Sequence, residues 1–184
     1  VPFRLNDAQR QFWFSVWYLN VILKARQLGF STLVAIWWLD VCIFNSNTRC
    51  GIIDATIDDA KRKLKKIALA YDKLPPWLRA WCPLKSSNAY SIEWANGSGV
   101  EVGTSHRGGT LQYLHISELG KIAAKYPEKA REIRTGALNT VQAGQIVVVE
   151  STAEGQEGDF FDICQLAETI FPRSLARFWA TAGD

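Results

Sequence analysis

Two cations, a glycine and two hydroxyls follow one another in the stretch Val-Ile-Leu-Lys-Ala-Arg-Gln-Leu-Gly-Phe-Ser-Thr, from Val21 to Thr32. Residues of these types can hold a polyanion. An apolar run ends at Leu23, a short loop carries Lys24, Arg26 and Gly29, and Ser31-Thr32 opens a long apolar segment. Strand, loop and helix in that order aim backbone N–H groups at an anion, with the helix dipole in support. The phosphate-loop spacing G-x-x-x-x-G-K-[ST] sets its second Gly on Gly29 and its hydroxyl on Ser31. Lys24 then stands where the first Gly would be, and Phe30 stands where the Lys would be. Both ends of a loop wrapped around phosphates approach the terminal groups, so an ammonium at its start can act there as a point charge. The competing reading is a plain helix start with Gly before Ser-Thr.

Four further places carry chemistry. Gln9 lies upstream of the loop, and its carboxamide can donate to and accept from an adenine edge at once; it is equally a surface glutamine. Arg107, in Thr104-Ser105-His106-Arg107-Gly108-Gly109-Thr110, has reach and freedom to move, as a switch loop needs, or simply faces solvent. Leu111 to Ile116 reads as a buried strand ending in Ser117-Glu118. A Walker B strand ends in Asp-Glu, the first residue holding Mg²⁺ and the second orienting the attacking water. Glu118 fits the second duty, while Ser117 offers a hydroxyl where a carboxylate is expected. His115 alternates onto a strand face as a structural residue. Ile146 to Val149 runs into Glu150-Ser151-Thr152-Ala153-Glu154-Gly155, where Ser151 and Thr152 can hydrogen-bond a phosphate or a water, or else cap the next helix.

Taken together and in this order, Gln9, Lys24 to Thr32, Arg107, Glu118 and Ser151 to Gly155 resemble the ATPase domain of the large terminase subunits, the DNA-packaging motors of tailed bacteriophages and prophages. The likeness spans nearly the whole chain. It implies a P-loop NTPase fold of the ASCE type, with ATP and Mg²⁺ as cofactors. The binding residues would then be Gln9, Lys24, Ala25, Arg26, Gln27, Leu28, Gly29, Phe30, Ser31, Thr32, Ser151 and Thr152. Ser31 would ligate Mg²⁺, with Ser117 a doubtful second; Glu118 would activate water, Lys24 would neutralise phosphate charge, and Arg107 would be an arginine finger acting in its own subunit or a neighbour. The implied partners are double-stranded DNA, the small terminase subunit and the portal protein. A ring of copies is expected during packaging, with a monomer open for the domain alone, in the host cytoplasm. Two other readings stay open: a degenerate, non-catalytic nucleotide-binding or interaction module, and a helicase-like ATPase of another pathway.

The elements that must position these residues follow from patterning. Asn6 or Asp7 starts an amphipathic segment between Phe3 and Trp17; Val21 to Leu23 and Gly51 to Ala55 are buried strands; Ser31 to Phe44 is a nearly all-apolar helix packed on a sheet. Thr56 caps a helix rich in Lys and Arg that ends before Pro75-Pro76, a solvated face or a track for DNA phosphates. Tyr90 to Trp94 and Val100 to Gly103 flank Asn96-Gly97 as a hairpin. Helices are expected over Pro127 to Val141 and Asp159 to Phe171, with a strand over Gln145 to Glu150 between them. The fold class is α/β, a mostly parallel central sheet flanked by helices, plus the β-hairpin, in one domain over residues 1–184. At 184 residues the chain can enclose such a three-layer core. A net charge of +3 permits a polyanionic partner without demanding one. The four cysteines have no C-x-x-C spacing, which argues against a metal site and for reduced core thiols. No apolar run reaches the roughly 20 residues of a membrane span. The pattern looks unfinished at Arg177-Phe178-Trp179-Ala180, so an excerpt lacking a following nuclease domain is expected.

Overall fold

Val21 and Ile22, Ile52 and Ile53, and Val147 to Val149 are consecutive residues with no exposed partner between them, the mark of strands covered on both faces. The computed structural model describes residues 3–106, 109–137, 141–155, 157–169 and 175–178. The first half runs α1 (Asp7–Trp13), β1 (Leu19–Lys24), α2 (Phe30–Phe44), β2 (Arg49–Ile53), α3 (Ile57–Asp72) and α4 (Pro76–Trp81). Four strands follow: β3 (Leu84–Ser87), β4 (Ser91–Trp94), β5 (Gly99–Gly103) and β6 (Leu111–Ser117). Then come α5 (Leu119–Lys125), α6 (Pro127–Glu132), a π-helical turn at Ile133–Ala137, β7 (Val141–Ser151), α7 (Asp159–Thr169) and β8 (Leu175–Phe178).

The strands form one sheet in the order β3-β4-β5-β2-β6-β7-β1-β8. Pairing is parallel from β5 to β8 and antiparallel where β3, β4 and β5 meet. β6 and β7 lie between β2 and β1, so strands adjacent in sequence are separated in space. Their carboxyl ends open a crevice at that reversal, where α/β sheets take ligands.

Side chains alternate across the sheet. Ile22, Ile52 and Val148 face the layer of α1, α2 and α3, with Trp38 and Trp94 fully buried there. Val21, Ile53, Ile116, Val147 and Val149 face the layer of α5, α6 and α7. α2 begins at Phe30, one residue before expectation, and Asp40 is its exposed break. Asn6 caps α1 in a capping box with Gln9, and Thr56 caps α3. The hairpin is present, with β4 and β5 antiparallel around Gly97, whose φ of 82° suits the turn.

The middle of the chain departs from expectation. α5 has no side-chain cap and ends at Tyr126, because Pro127 disfavours the helical region for the residue before it. The helix expected over Pro127 to Val141 gives way to the π turn at Ile133, and Gly136 inside that turn weakens helix by about 1 kcal/mol relative to Ala. Val141 is already strand, paired with Leu111, so β7 starts before the expected Gln145. α7 ends at Thr169; Ile170 and Phe171 lie outside the described residues. The short elements α4, β3 and β8 carry no strong pattern and were not expected.

All four cysteines are buried thiols outside any disulfide, and the sulfurs of Cys42 and Cys50 lie 3.5 Å apart. Among the described residues no helix is long and apolar enough to cross a membrane. β3, the outermost strand on the hairpin side of the sheet, is exposed at every residue, and its Lys85 reaches Glu93 of β4 at 3.8 Å.

Candidate functional site

The period of two along a strand decides which polar residues meet. Ile22, Ile52 and Val148 face the α2 layer, so Lys24, Asp54 and Glu150, each two residues further on, face it too at the carboxyl edge. Ser117 follows His115 in the same way on β6, and both hydrogen-bond Glu150.

Lys24 ends β1 and is 6% exposed. Its Nζ donates to Glu118 Oε1 at 3.3 Å and lies 3.8 Å from Glu150 Oε2. The loop then turns through two left-handed residues, Gln27 (φ 65°) and Gly29 (φ 73°). A Cβ at Gly29 would come within 2.8 Å of Gln9 Nε2, besides the strain of that φ. α1 holds this turn from outside: Asn6 Nδ2 donates to the Leu28 carbonyl at 3.2 Å and Gln9 Nε2 donates to the Gly29 carbonyl at 2.9 Å. Gln9 is buried, and its Oε1 accepts from the Asn6 N–H at 3.0 Å, so its oxygen and one N–H serve the protein itself. Phe30 is 1% exposed and packs edge-on against Phe12, ring centroids 5.7 Å apart. The position that usually carries the loop lysine is thus a core anchor for the start of α2. Thr32 and Leu33 donate their N–H groups to the Gly29 carbonyl at 3.0 Å, while the N–H groups of Phe30 and Ser31 precede the first intrahelical bond, as at any helix start suited to an anion.

Ser31 Oγ donates to Glu150 Oε1 at 2.5 Å. The same oxygen accepts from His115 Nε2 at 3.0 Å and from Ser117 Oγ at 3.2 Å, and Glu150 is fully buried. Burial alone would push the Glu150 carboxyl up; the hydrogen bond and charge of His115, the Lys24 ammonium and the Ser31 hydroxyl outweigh it and hold the group down at about 2. Thr32 Oγ1 accepts from Lys66 Nζ at 2.9 Å.

Glu118 follows β6 in the left-handed region, φ 58°, a backbone conformation that a glutamate rarely adopts. Its N–H donates to the Glu150 carbonyl at 2.7 Å, which ties the strand end to β7. Lys24, Glu118, Arg26, Gln27 and Thr152 line one cavity of about 560 Å³, a volume within the range of small-molecule sites. Asp54, Asp59, Lys63, Lys121 and Glu154 complete its wall. Asp54 is buried at the end of β2 and paired with Lys63 of α3. The basic helix therefore does not simply face solvent. Lys63 and Lys66 turn to the site, Lys61 lies over the Tyr90 ring, Arg62 pairs with Asp59, and Lys65 is exposed.

Ser151 and Thr152 divide. Ser151 is buried and its Oγ accepts the Gly120 N–H at 3.0 Å, joining β7 to α5, while Thr152 lines the cavity. Arg107 lies outside the described residues. Sequence reasoning did not single out Glu150, Asp54 or Lys63; the signal was the first carboxylate after an apolar strand run, at Asp54 and Glu150 alike.

No family model matches the chain, and no curated protein matches it. Solved structures do. The chain is similar over 100% of its length to the large terminase of bacteriophage HK97, with a TM-score of 0.76 and 17% identity, and covers 41% of that protein. For the large terminase ATPase domain of Thermus phage P74-26 the TM-score is 0.63 at 15% identity, over 99% of this chain and 82% of that one. The large terminase of a thermophilic bacteriophage, solved in complex with ATP-gamma-S, gives 0.54 at 13% identity over 88% of this chain and 39% of that one. The fold is that of a large-terminase ATPase domain. The chain spans about two fifths of the HK97 protein.

Proposed function

We propose that this chain is a single ATPase domain of a phage or prophage large terminase, which hydrolyses ATP to drive double-stranded DNA into a procapsid. One observation carries the reading: Lys24 and Glu118, far apart in sequence, pair at 3.3 Å at the carboxyl edge of the sheet and line one cavity, and Ser31, at the other end of the loop that Lys24 opens, is tied to the same place through Glu150. The terminase fold supports it, as does the ATP-gamma-S bound by the thermophilic phage protein.

In this reading the Gly29 turn and the first amides of α2 cradle the phosphates, and Lys24 leaves its carboxylates to neutralise them. Glu118 orients the attacking water and takes its proton as general base. Thr152 hydrogen-bonds near the terminal phosphate, and Ser151 transmits movement of β7 to α5. Gln9 can read adenine with its second N–H, or with its oxygen once the Asn6 N–H is given up. Arg107 supplies the arginine finger. Ser31 fits a hard divalent cation: its proton is given to a carboxylate whose other oxygen, buried Oε2 of Glu150, has no hydrogen-bond partner. Bound there, Mg²⁺ would screen the charge of the phosphate oxygens. Ring assembly on a portal, with a small subunit and a separate nuclease domain, belongs to the same proposal.

The test is hydrolysis of ATP with Mg²⁺ by the wild type and Glu118→Gln. The variant should keep nucleotide affinity and lose turnover by about 10²–10⁴-fold, the usual worth of a general base. Undiminished turnover would remove Glu118 from the role. Wild-type protein that binds ATP and never hydrolyses it would favour a degenerate nucleotide-binding module.

A further inference from the structure

A nucleoside-triphosphate site needs a carboxylate beside the loop hydroxyl, because a serine whose proton is engaged presents its lone pairs to a cation. On β6 the residue at that place is Ser117, a hydroxyl. The carboxylate comes from the next strand. Glu150 on β7 lies between β6 and β1 and reaches both β6 and the start of α2: its Oε1 accepts from Ser31 Oγ at 2.5 Å and from Ser117 Oγ at 3.2 Å. Its Oε2 is buried without a hydrogen-bond partner, 3.8 Å from Lys24 Nζ. A carboxylate kept solely to neutralise Lys24 would have no need of both hydroxyls, and Glu118 already pairs with that lysine.

We propose that Glu150 is the positioning carboxylate of the cation site, accepting the Ser31 proton and supplying the negative charge that Ser117 lacks. It rests on the ATP-site reading above. Glu150 acts through Ser31 and the cation's surroundings; it does not touch the nucleotide. The site is then displaced twice in the same sense. Its lysine moves from the end of the loop to the start, and its acid moves one strand over.

The measurement is the affinity of the chain for a methylanthraniloyl ATP analogue, with chelator and with saturating Mg²⁺. Glu150→Gln is isosteric and keeps an acceptor oxygen for the three donors. Mg²⁺ should tighten wild-type binding, and the variant should lose on the order of 10–100-fold of that increment, as outer-shell partners of a metal do. Its Mg²⁺-free affinity should equal or exceed that of the wild type. Adding Ser117→Asp to Glu150→Gln should restore the increment by returning the carboxylate to β6. That double variant keeps the number of buried carboxylates and carries the test where the single one fails to fold. A full wild-type Mg²⁺ increment in folded Glu150→Gln, or none regained in the double variant, overturns the proposal. Wild-type protein that binds no analogue in either condition overturns the ATP-site reading itself and takes the proposal with it.

Discussion

Lys24 bears the largest change of duty on filling the site. Its ammonium is held by two carboxylates, Glu118 and Glu150. An arriving triphosphate offers more negative charge at the same place. Saturation with ATP and Mg²⁺ should therefore stabilise the wild type, by about 2.7 kcal/mol at a hundredfold excess over Kd. For a chain of this size that is a rise in Tm of roughly 5–10 °C. Lys24→Ala should abolish the rise in a thermal-shift assay, and an equal rise in both proteins would refute the displaced lysine. Lys24, Gly29, Ser31 and Glu118 were legible as residues because each stands at a strand end or helix start, where type and spacing already speak. Glu150 was not. A glutamate closing an apolar run reads only as the first polar residue after it, and its meaning depends on β7 lying between β6 and β1, which no local pattern records. Ser151 carries a contact that its type does not announce: its Oγ accepts the Gly120 N–H.

Elements with a strong period were legible: α2, α3, the hairpin and the buried strands. The segment after Glu118 was not, because α5 starts from a left-handed residue with no capping side chain and stops against Pro127. That helix matters, since it hangs from Glu118. A Cβ at Gly120 would meet Ser151 Oγ at 2.8 Å, the Thr152 carbonyl at 2.9 Å and Phe160 Cδ1 at 3.2 Å. Two of those atoms belong to the end of β7 and the residue after it, and the carbonyl is backbone that cannot swing aside. Gly120→Ala should force α5 off β7, cost about 1–3 kcal/mol by overpacking, and lower turnover by moving Glu118. A calorimetric Tm equal to that of the wild type would show that the close approach is not needed.

At the scale of the molecule, fold class was readable from alternating strand and helix signals, and strand order was not, because β6 and β7 insert between strands that precede them by many residues. One consequence is acid lability centred on the sheet. Unfolded, Glu150 takes up its proton near 4.5; folded, near 2. As pH falls the unfolded chain binds the proton first, so stability present above about pH 4.5 is lost on the way to about 2, an amount of roughly 3 kcal/mol. Tm measured against pH on nucleotide-free protein should fall less steeply in Glu150→Gln than in the wild type over that window; parallel curves would contradict it. The outermost strand has a different outcome. Bare backbone at a sheet margin is a template onto which a neighbouring molecule can add its own strand. β3 meets the solvent with Leu84, Lys85 and two serines, and its lysine is shared with Glu93. A strand added there would have to strip water from that lysine and those hydroxyls, which disfavours edge-to-edge pairing at β3.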